Sequence, residues 1–142
     1  MSFVFSRRPS MPSRQFLMSA ALAAACTAGL AHAQMPPWTE AGQGRYVCGG
    51  IGSDESTAMR SAMKSHPLSL LFARADGAYL ASVAVEIRGA QGGAGLSLRA
   101  DGPVCLVDLP AGAYVVEATF EGRTQRRELS LGGGPKTADF RF

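Results

Sequence analysis

The stretch DLPAGAYVVEATFEGRTQRRELSL, Asp108–Leu131, alternates apolar and polar side chains, turns at Glu121-Gly122, and alternates again. A period of two puts successive side chains on opposite faces of a strand, so the segment predicts a β-hairpin with one buried face. A two-residue turn at Glu121-Gly122 sets Phe120 opposite Arg123 and fixes every pair behind it. Tyr114 then faces Leu129 and Val116 faces Arg127 on the core side, which Leu131 continues. On the other side Glu117 faces Arg126 and Thr119 faces Thr124, an opposite-charge pair and a hydroxyl pair. Arg127 is the awkward member of the inner face. It belongs near the sheet's end, where its stem packs and its head reaches water. Every charge in the hairpin has a structural role, and none needs a reaction to account for it.

The same period runs outward from the hairpin. LSLLFAR puts Leu68, Leu70 and Phe72 on one face, and ASVAVEIR puts Val83, Val85 and Ile87 on one face with Glu86 and Arg88 opposite. GLSLRA repeats the pattern with Leu96 and Leu98, PVCLVDL is a more continuous apolar run, and TADFRF ends with Phe140 and Phe142 together. Asp76-Gly77 and Asp101-Gly102 fall between these segments, where Asp accepts turn hydrogen bonds and Gly supplies positive φ. About seven short strands predict a mainly β fold, an antiparallel β-sandwich.

One short helix is expected near residues 54–64, within SDESTAMRSAMKSHP. Ser53 or Asp54 caps it, Asp54 and Glu55 sit at its positive end, and Arg60 and Lys64 sit toward its negative end. Met59, Ala62 and Met63 form a narrow stripe that packs on a sheet, and Pro67 stops the helix. Residues 34–45, around QMPPWTEAGQG, show no period and predict a flexible lead-in. Trp38 in that lead-in either docks onto the domain or marks a contact surface. Residues 46–142 then form a single β-sandwich domain.

Residues 1–33 resemble an export signal rather than structure. Arg7, Arg8 and Arg14 precede the apolar run FLMSAALAAACTAGL, and AHA at residues 31–33 offers the small residues a signal peptidase reads. The run is shorter than the roughly 20 residues of a membrane anchor, so cleavage between Ala33 and Gln34 is expected, leaving no membrane association. Met11 is an alternative start. Two rival signals are weaker: Pro9 and Ser10 follow the twin arginines, and LAAAC holds its leucine one position too far from Cys26 for a lipidation box. The location implied is periplasmic or secreted.

Export changes the charge and cysteine balance. The formal charge of +3 resides in the signal, and the basic and acidic residues that remain are equal, at 11 each. A basic footprint for nucleic acid or anionic lipid is therefore missing, and no nucleic-acid partner is expected. Cys48 and Cys105 remain and form the candidate disulfide of an oxidising compartment, where closing so long a loop contributes about 4 kcal/mol. Two independent buried thiols are the alternative.

From ADGPVCLVDL onward the chain resembles a known family. An Asp-Gly turn, a strand, the element Leu-Pro-x-Gly-x-Tyr (Leu109, Pro110, Gly112, Tyr114), a strand, a Gly turn and another alternating strand resemble the carboxypeptidase regulatory-like domain. The resemblance covers residues 68–142 and implies a transthyretin-like, prealbumin-type Greek-key sandwich. In it Leu109, Pro110, Gly112 and Tyr114 form a structural corner, where the tyrosine ring buries and its hydroxyl bonds the backbone. The helix segment lies outside that domain and resembles the extra front piece of small exported proteobacterial proteins of this kind. In peptidases the domain is an appendage beside the catalytic unit, so the resemblance implies fold more than activity.

No catalytic residues, cofactor or metal site are assigned. After export one histidine remains, His66, at the expected helix end, where a cation rests favourably without any reaction. The enzymatic branch of the transthyretin-like fold, the hydroxyisourate hydrolases, uses histidines, an arginine and a C-terminal Tyr-Arg-Gly-Ser. This chain lacks those histidines and ends in DFRF. One histidine and two distant cysteines do not make a zinc set. GGIGSDE has Glu55 where a dinucleotide loop wants its third glycine, and Asp54 and Glu55 repel phosphate. The expected role is thus a non-catalytic interaction or structural module with an unidentified protein partner. A small-ligand binder, for instance for carbohydrate with Trp38 and Tyr79 together beside a groove, is the alternative; a hydrolase using His66 is the third.

Overall fold

The computed structural model describes residues 34–93 and 95–142. The expected export signal, the alternative start at Met11 and the Ala33 side of the cleavage position fall outside these residues.

The fold is mainly β, with strands β1 (Thr39–Ala41), β2 (Gly44–Gly49), β3 (Leu68–Ala73), β4 (Val83–Gly89), β5 (Leu96–Ala100), β6 (Val104–Asp108), β7 (Gly112–Phe120), β8 (Arg123–Leu131) and β9 (Lys136–Arg141), and one α-helix, α1 (Ser53–Ala62). They form a five-stranded sheet in the order β1-β2-β6-β3-β9 and a four-stranded sheet in the order β5-β4-β7-β8. The sandwich stands as expected, with two refinements. The strands number nine among the described residues, because β1 and β2 add to the seven read from the sequence. The pairing is antiparallel except where β9 runs parallel to β3.

The alternating positions meet between the sheets. Leu68, Leu70 and Phe72 of β3 pack with Val83, Val85 and Ile87 of β4, Val116 of β7 and Phe140 of β9, all buried. Phe72 and Phe140 stack with ring centres 5.7 Å apart. The continuous apolar run of β6 has a different cause: Cys105 and Val107 face this interior, while Val104 and Leu106 face the helix. There Met59, fully buried, packs with Val47, Val104 and Leu106, and Ala62, Met63 and Leu71 close around them. A strand covered on both faces loses its alternation. Among the described residues nothing covers the outer face of the four-stranded sheet, and its strands β4 and β5 keep the alternation.

The hairpin β7–β8 pairs in the expected register throughout, from Gly112 with Leu131 to Phe120 with Arg123. Glu121 and Gly122 both take positive φ, 47° and 77°, as a two-residue turn matching the strand twist requires. The Thr119 and Thr124 hydroxyls bond at 2.8 Å. The expected Glu117–Arg126 ion pair does not form. Glu117 sits directly opposite Glu86 of β4, and Arg88, on its diagonal, bonds Glu117 at 2.9 Å and approaches Glu86 at 3.9 Å. Arg126 turns instead to Glu128 at 2.8 Å. Arg127 leaves the inner face at the side where β8 meets β9, its guanidinium 5.3 Å from the Phe140 ring centre. It donates to the Asp139 carbonyl, and the Gln125 amide donates to that of Arg141, so side chains of β8 guard the β9 edge.

Four local expectations are corrected. The flexible lead-in of residues 34–45 instead contributes β1, whose Thr39 pairs with Tyr46 of β2, so tertiary pairing orders a segment without period. Neither Ser53 nor Asp54 caps α1; Gly52 is the N-cap without a side-chain bond. Glu55 reaches back to accept the N–H groups of Gly50 at 2.7 Å and Ile51 at 3.4 Å. The helical turn continues to Ser65 in tighter 3-10 form. Asp76 accepts the Ala78 N–H at 3.0 Å, as a turn aspartate should. Gly102, by contrast, is not at positive φ: a side chain there would strike the Gly49 carbonyl, so close approach of two backbones explains it.

Candidate functional site

The residues singled out by sequence fall into four places. Cys48 and Cys105 are cross-strand partners in β2 and β6. Their sulfurs are bonded at 2.02 Å with Cα atoms 4.1 Å apart. Both are buried, so neither thiol is free for nucleophilic or metal chemistry. The corner residues come together as the resemblance implies: Leu109 and Tyr114 are buried, and the Tyr114 hydroxyl donates to the Pro110 carbonyl at 2.7 Å. Gly112, the first residue of β7, links the two.

His66 follows α1 and precedes β3, with only 19% of its side chain exposed. Its Nδ1 lies 2.7 Å from Oδ1 of Asp108, at the end of β6. The other carboxylate oxygen of Asp108 accepts from Arg45 Nε at 2.9 Å, because Arg45 and Asp108 are cross-strand partners. Arg45 also lies over the Trp38 ring at 4.5 Å, and Trp38 packs on the His66 ring with centres 4.8 Å apart. Trp38 therefore docks. Four segments contribute one side chain each to a closed circuit that fastens the N-terminal arm to the sheet.

The carboxylate places the His66 proton on Nδ1 when the ring is neutral, which leaves Nε2 as an acceptor. Nε2 has no partner among the described residues and is open to solvent. His66 borders a shallow depression of 300 Å³ that it lines with Lys64, Ser65, Pro67, Gly132, Gly134 and Pro135. An Asp–His pair of this kind activates a nucleophile when a hydroxyl or thiol lies within hydrogen-bond reach. None bonds Nε2 among the described residues. Ser69, three residues on, turns its hydroxyl toward the helix-covered face, where it is buried without a partner. Ser65 lines the same depression, but among the described residues no hydrogen bond joins its hydroxyl to His66, so no nucleophile–base pair is formed.

Tyr79 lies elsewhere. It bridges Ala73 at the far end of β3, about 20 Å along the strand from His66 at roughly 3.3 Å per residue. Trp38 and Tyr79 do not share a groove, so the aromatic platform expected of a carbohydrate site is not assembled. Tyr79 is instead grouped with Ile51, which sequence reading missed. These are the two large hydrophobic side chains left exposed among the described residues, at 63% and 65%. They line one depression of 340 Å³ together with Leu80, Ala81 and Pro103. Arg60 of α1 donates to the Tyr79 hydroxyl at 2.8 Å and lies 5.4 Å from its ring centre. The isolated Ile51, between two glycines, was the only sequence signal.

Among the described residues, no group of three or more His, Cys, Asp or Glu side chains is placed to hold a metal ion. No helix among them is long and apolar enough to cross a membrane. Arg141 holds its proton more tightly than a free arginine, through its hydrogen bond to Asp139 and then that carboxylate's charge. Arginine is protonated across the working range in any case, so no pH dependence follows. Comparison of the chain with family models, with curated proteins and with solved structures returns no match.

Proposed function

We propose that the chain is an exported, non-catalytic β-sandwich module that works in the periplasm by contacting a partner protein. The observation that carries this reading is the convergence of Ile51 and Tyr79 on one apolar depression beside Arg60, since clustered exposed hydrophobics mark contact surfaces. The engagement of His66 and Asp108 in a circuit that holds the N-terminal arm supports the absence of catalysis. The resemblance to carboxypeptidase regulatory-like domains, appendages beside catalytic units, agrees with it. So does the signal-like character of residues 1–33.

A hydrolytic reading has one observation in its favour, the open Nε2 of an Asp-anchored histidine. Both readings are tested by placing a photo-crosslinking amino acid at residue 79, and as control at Arg126 on the outer face of β8, in cells expressing the full chain. The module reading expects a discrete crosslinked product from position 79 and none from position 126. Absence of a product at 79, with ester hydrolysis by the purified chain that is lost in His66→Gln and Asp108→Asn, would replace it with the hydrolase.

A further inference from the structure

We infer that a second depression, lined by Arg60, Tyr79 and Arg141, binds a small tetrahedral oxyanion of the sulfate or phosphate class, free or carried on a larger molecule. The inference goes beyond the contact reading above and does not depend on it. The site lies on the helix side of the five-stranded sheet, at its β9 edge. Leu71 packs toward α1 there, and the parallel register sets Asp139 beside Leu71 and Arg141 beside Ala73 on the same face. Arg60, in the last turn of α1, bounds the depression on one side. The loop that carries Gly77 and Tyr79 bounds it on another, and the volume between them is 180 Å³.

Donors outnumber acceptors in this lining. The Arg60 guanidinium donates to the Tyr79 hydroxyl at 2.8 Å and reaches the Ser56 hydroxyl at 3.4 Å. No carboxylate pairs with it among the described residues. Because the Tyr79 oxygen accepts from Arg60, its own proton is left to donate, and it has no acceptor among the described residues. Asp139 is the one acid of the lining, and Arg141 holds both its oxygens, at 2.9 Å through Nε and 3.3 Å through Nη2. That fork leaves the Arg141 Nη1 without a partner among the described residues. Two guanidiniums thus stand against one carboxylate that is already taken.

An excess of donors selects a ligand that only accepts, which is an anionic oxygen group. The donors stand on a helix, a loop and an edge strand, so their bonds are not confined to the plane of one guanidinium. A tetrahedral anion offers oxygens in several directions, whereas a carboxylate is satisfied by one fork, as Asp139 is by Arg141. Volume limits the size. At 180 Å³ the depression is smaller than the roughly 300–1,000 Å³ of pockets that enclose drug-sized ligands. It therefore takes the anionic group itself, and any larger molecule bearing that group extends into solvent.

The test titrates the chain, its disulfide intact, with sodium sulfate and, at matched ionic strength, with sodium chloride. The amide resonances of Gly77, Tyr79, Asp139 and Arg141 report binding. Sulfate should move them saturably and chloride should not. Arg60→Gln should weaken sulfate about tenfold, the loss of one charge-assisted hydrogen bond. Tyr79→Phe, which keeps the ring and removes only the hydroxyl, should weaken it about fivefold. Arg126→Gln removes the same charge on the outer face of β8 and should change nothing. Equal responses to sulfate and chloride, equal losses from Arg60→Gln and Arg126→Gln, or acetate bound as tightly as sulfate each overturn the inference. Phenyl sulfate separates the sources: tighter binding than sulfate assigns the group to a larger molecule, weaker binding assigns the free ion, and either order upholds the site. Crosslinking from residue 79 in cells tests the contact reading separately, so the two can fail independently.

Discussion

The middle of the five-stranded sheet is covered on both faces and, among the described residues, the four-stranded sheet on one, and their interior strands differ in sequence accordingly. β6, VCLVD, is buried at every position but its last, while β4, VAVEIRG, alternates buried and exposed. Both are interior strands of their sheets, flanked on each side by a partner. The difference lies only in what sits on the second face, α1 for β6 and water for β4. Periodicity along a strand therefore reports how many of its faces are covered, and its loss points to a third layer rather than to a poor strand. The covered sheet also holds the disulfide and the one parallel pair among the described residues. The uncovered one carries its charges as lateral pairs on the open face, Glu86–Arg88–Glu117 and Arg126–Glu128.

The largest effect that separates the sheets is expected from the disulfide. It joins β2, which lies ahead of α1 in the chain, to β6 across a sequence separation of 57. Replacing both cysteines by alanine should lower stability by about 4 kcal/mol through the entropy returned to the unfolded chain. Urea unfolding measures the loss, and amide exchange locates it: β1 and β2 should exchange faster while β7 and β8 keep their order. Uniform acceleration in both sheets would show that the bond serves the sandwich as a whole. Unchanged stability would assign the cohesion of the larger sheet to burial under α1 alone.

A matched pair of truncations makes the contrast between covered and open faces direct. Leu106 on β6 and Val115 on β7 both point away from the space between the sheets, but Leu106 is fully buried under α1 and Val115 is not. Leu106→Ala should cost about 3 kcal/mol, the transfer and cavity terms together. Val115→Ala should cost less than about 1 kcal/mol, as surface truncations do. Equal costs, read as shifts in the urea midpoint, would mean that the open face is covered in solution after all.

What was legible in the sequence follows the same division. The hairpin could be read pair by pair because its register is set locally, by Glu121-Gly122 and by an alternation that a one-residue slip would invert. The helix was legible from Met59, Ala62 and Met63, and the corner from Leu109 to Tyr114. What escaped reading was assembled from distant segments. Thr39–Ala41 has no pattern of its own and becomes a strand only because Tyr46 lies beside it. Glu117 left its facing arginine for Arg88 because the diagonal partner came from β4, which the hairpin's own sequence does not mention. The circuit of Trp38, Arg45, His66 and Asp108 draws one residue from each of four segments, and no spacing rule links them. Even the seat of Ile51 and Tyr79 joins the loop before α1 to the loop after β3.

The smallest effect concerns a turn of the open sheet where a local rule is strained. Glu121 holds φ at 47°, a left-handed conformation that costs a side chain with a Cβ, and that asparagine tolerates best among non-glycine residues. Its compensation is slight: Arg74 approaches the carboxylate at 3.8 Å, with both side chains about half exposed or more, and such pairs contribute little in water. Asn-Gly is the preferred sequence for this turn, so Glu121→Asn should stabilise the chain by about 0.5 kcal/mol. High salt should not remove the gain, since screening weakens the lost ion pair and leaves the backbone preference untouched. A loss of stability that disappears in high salt would reverse the assignment and make the Arg74 pair, not the turn, the reason for glutamate. The open sheet would then depend on its surface charges more than its alternation implies.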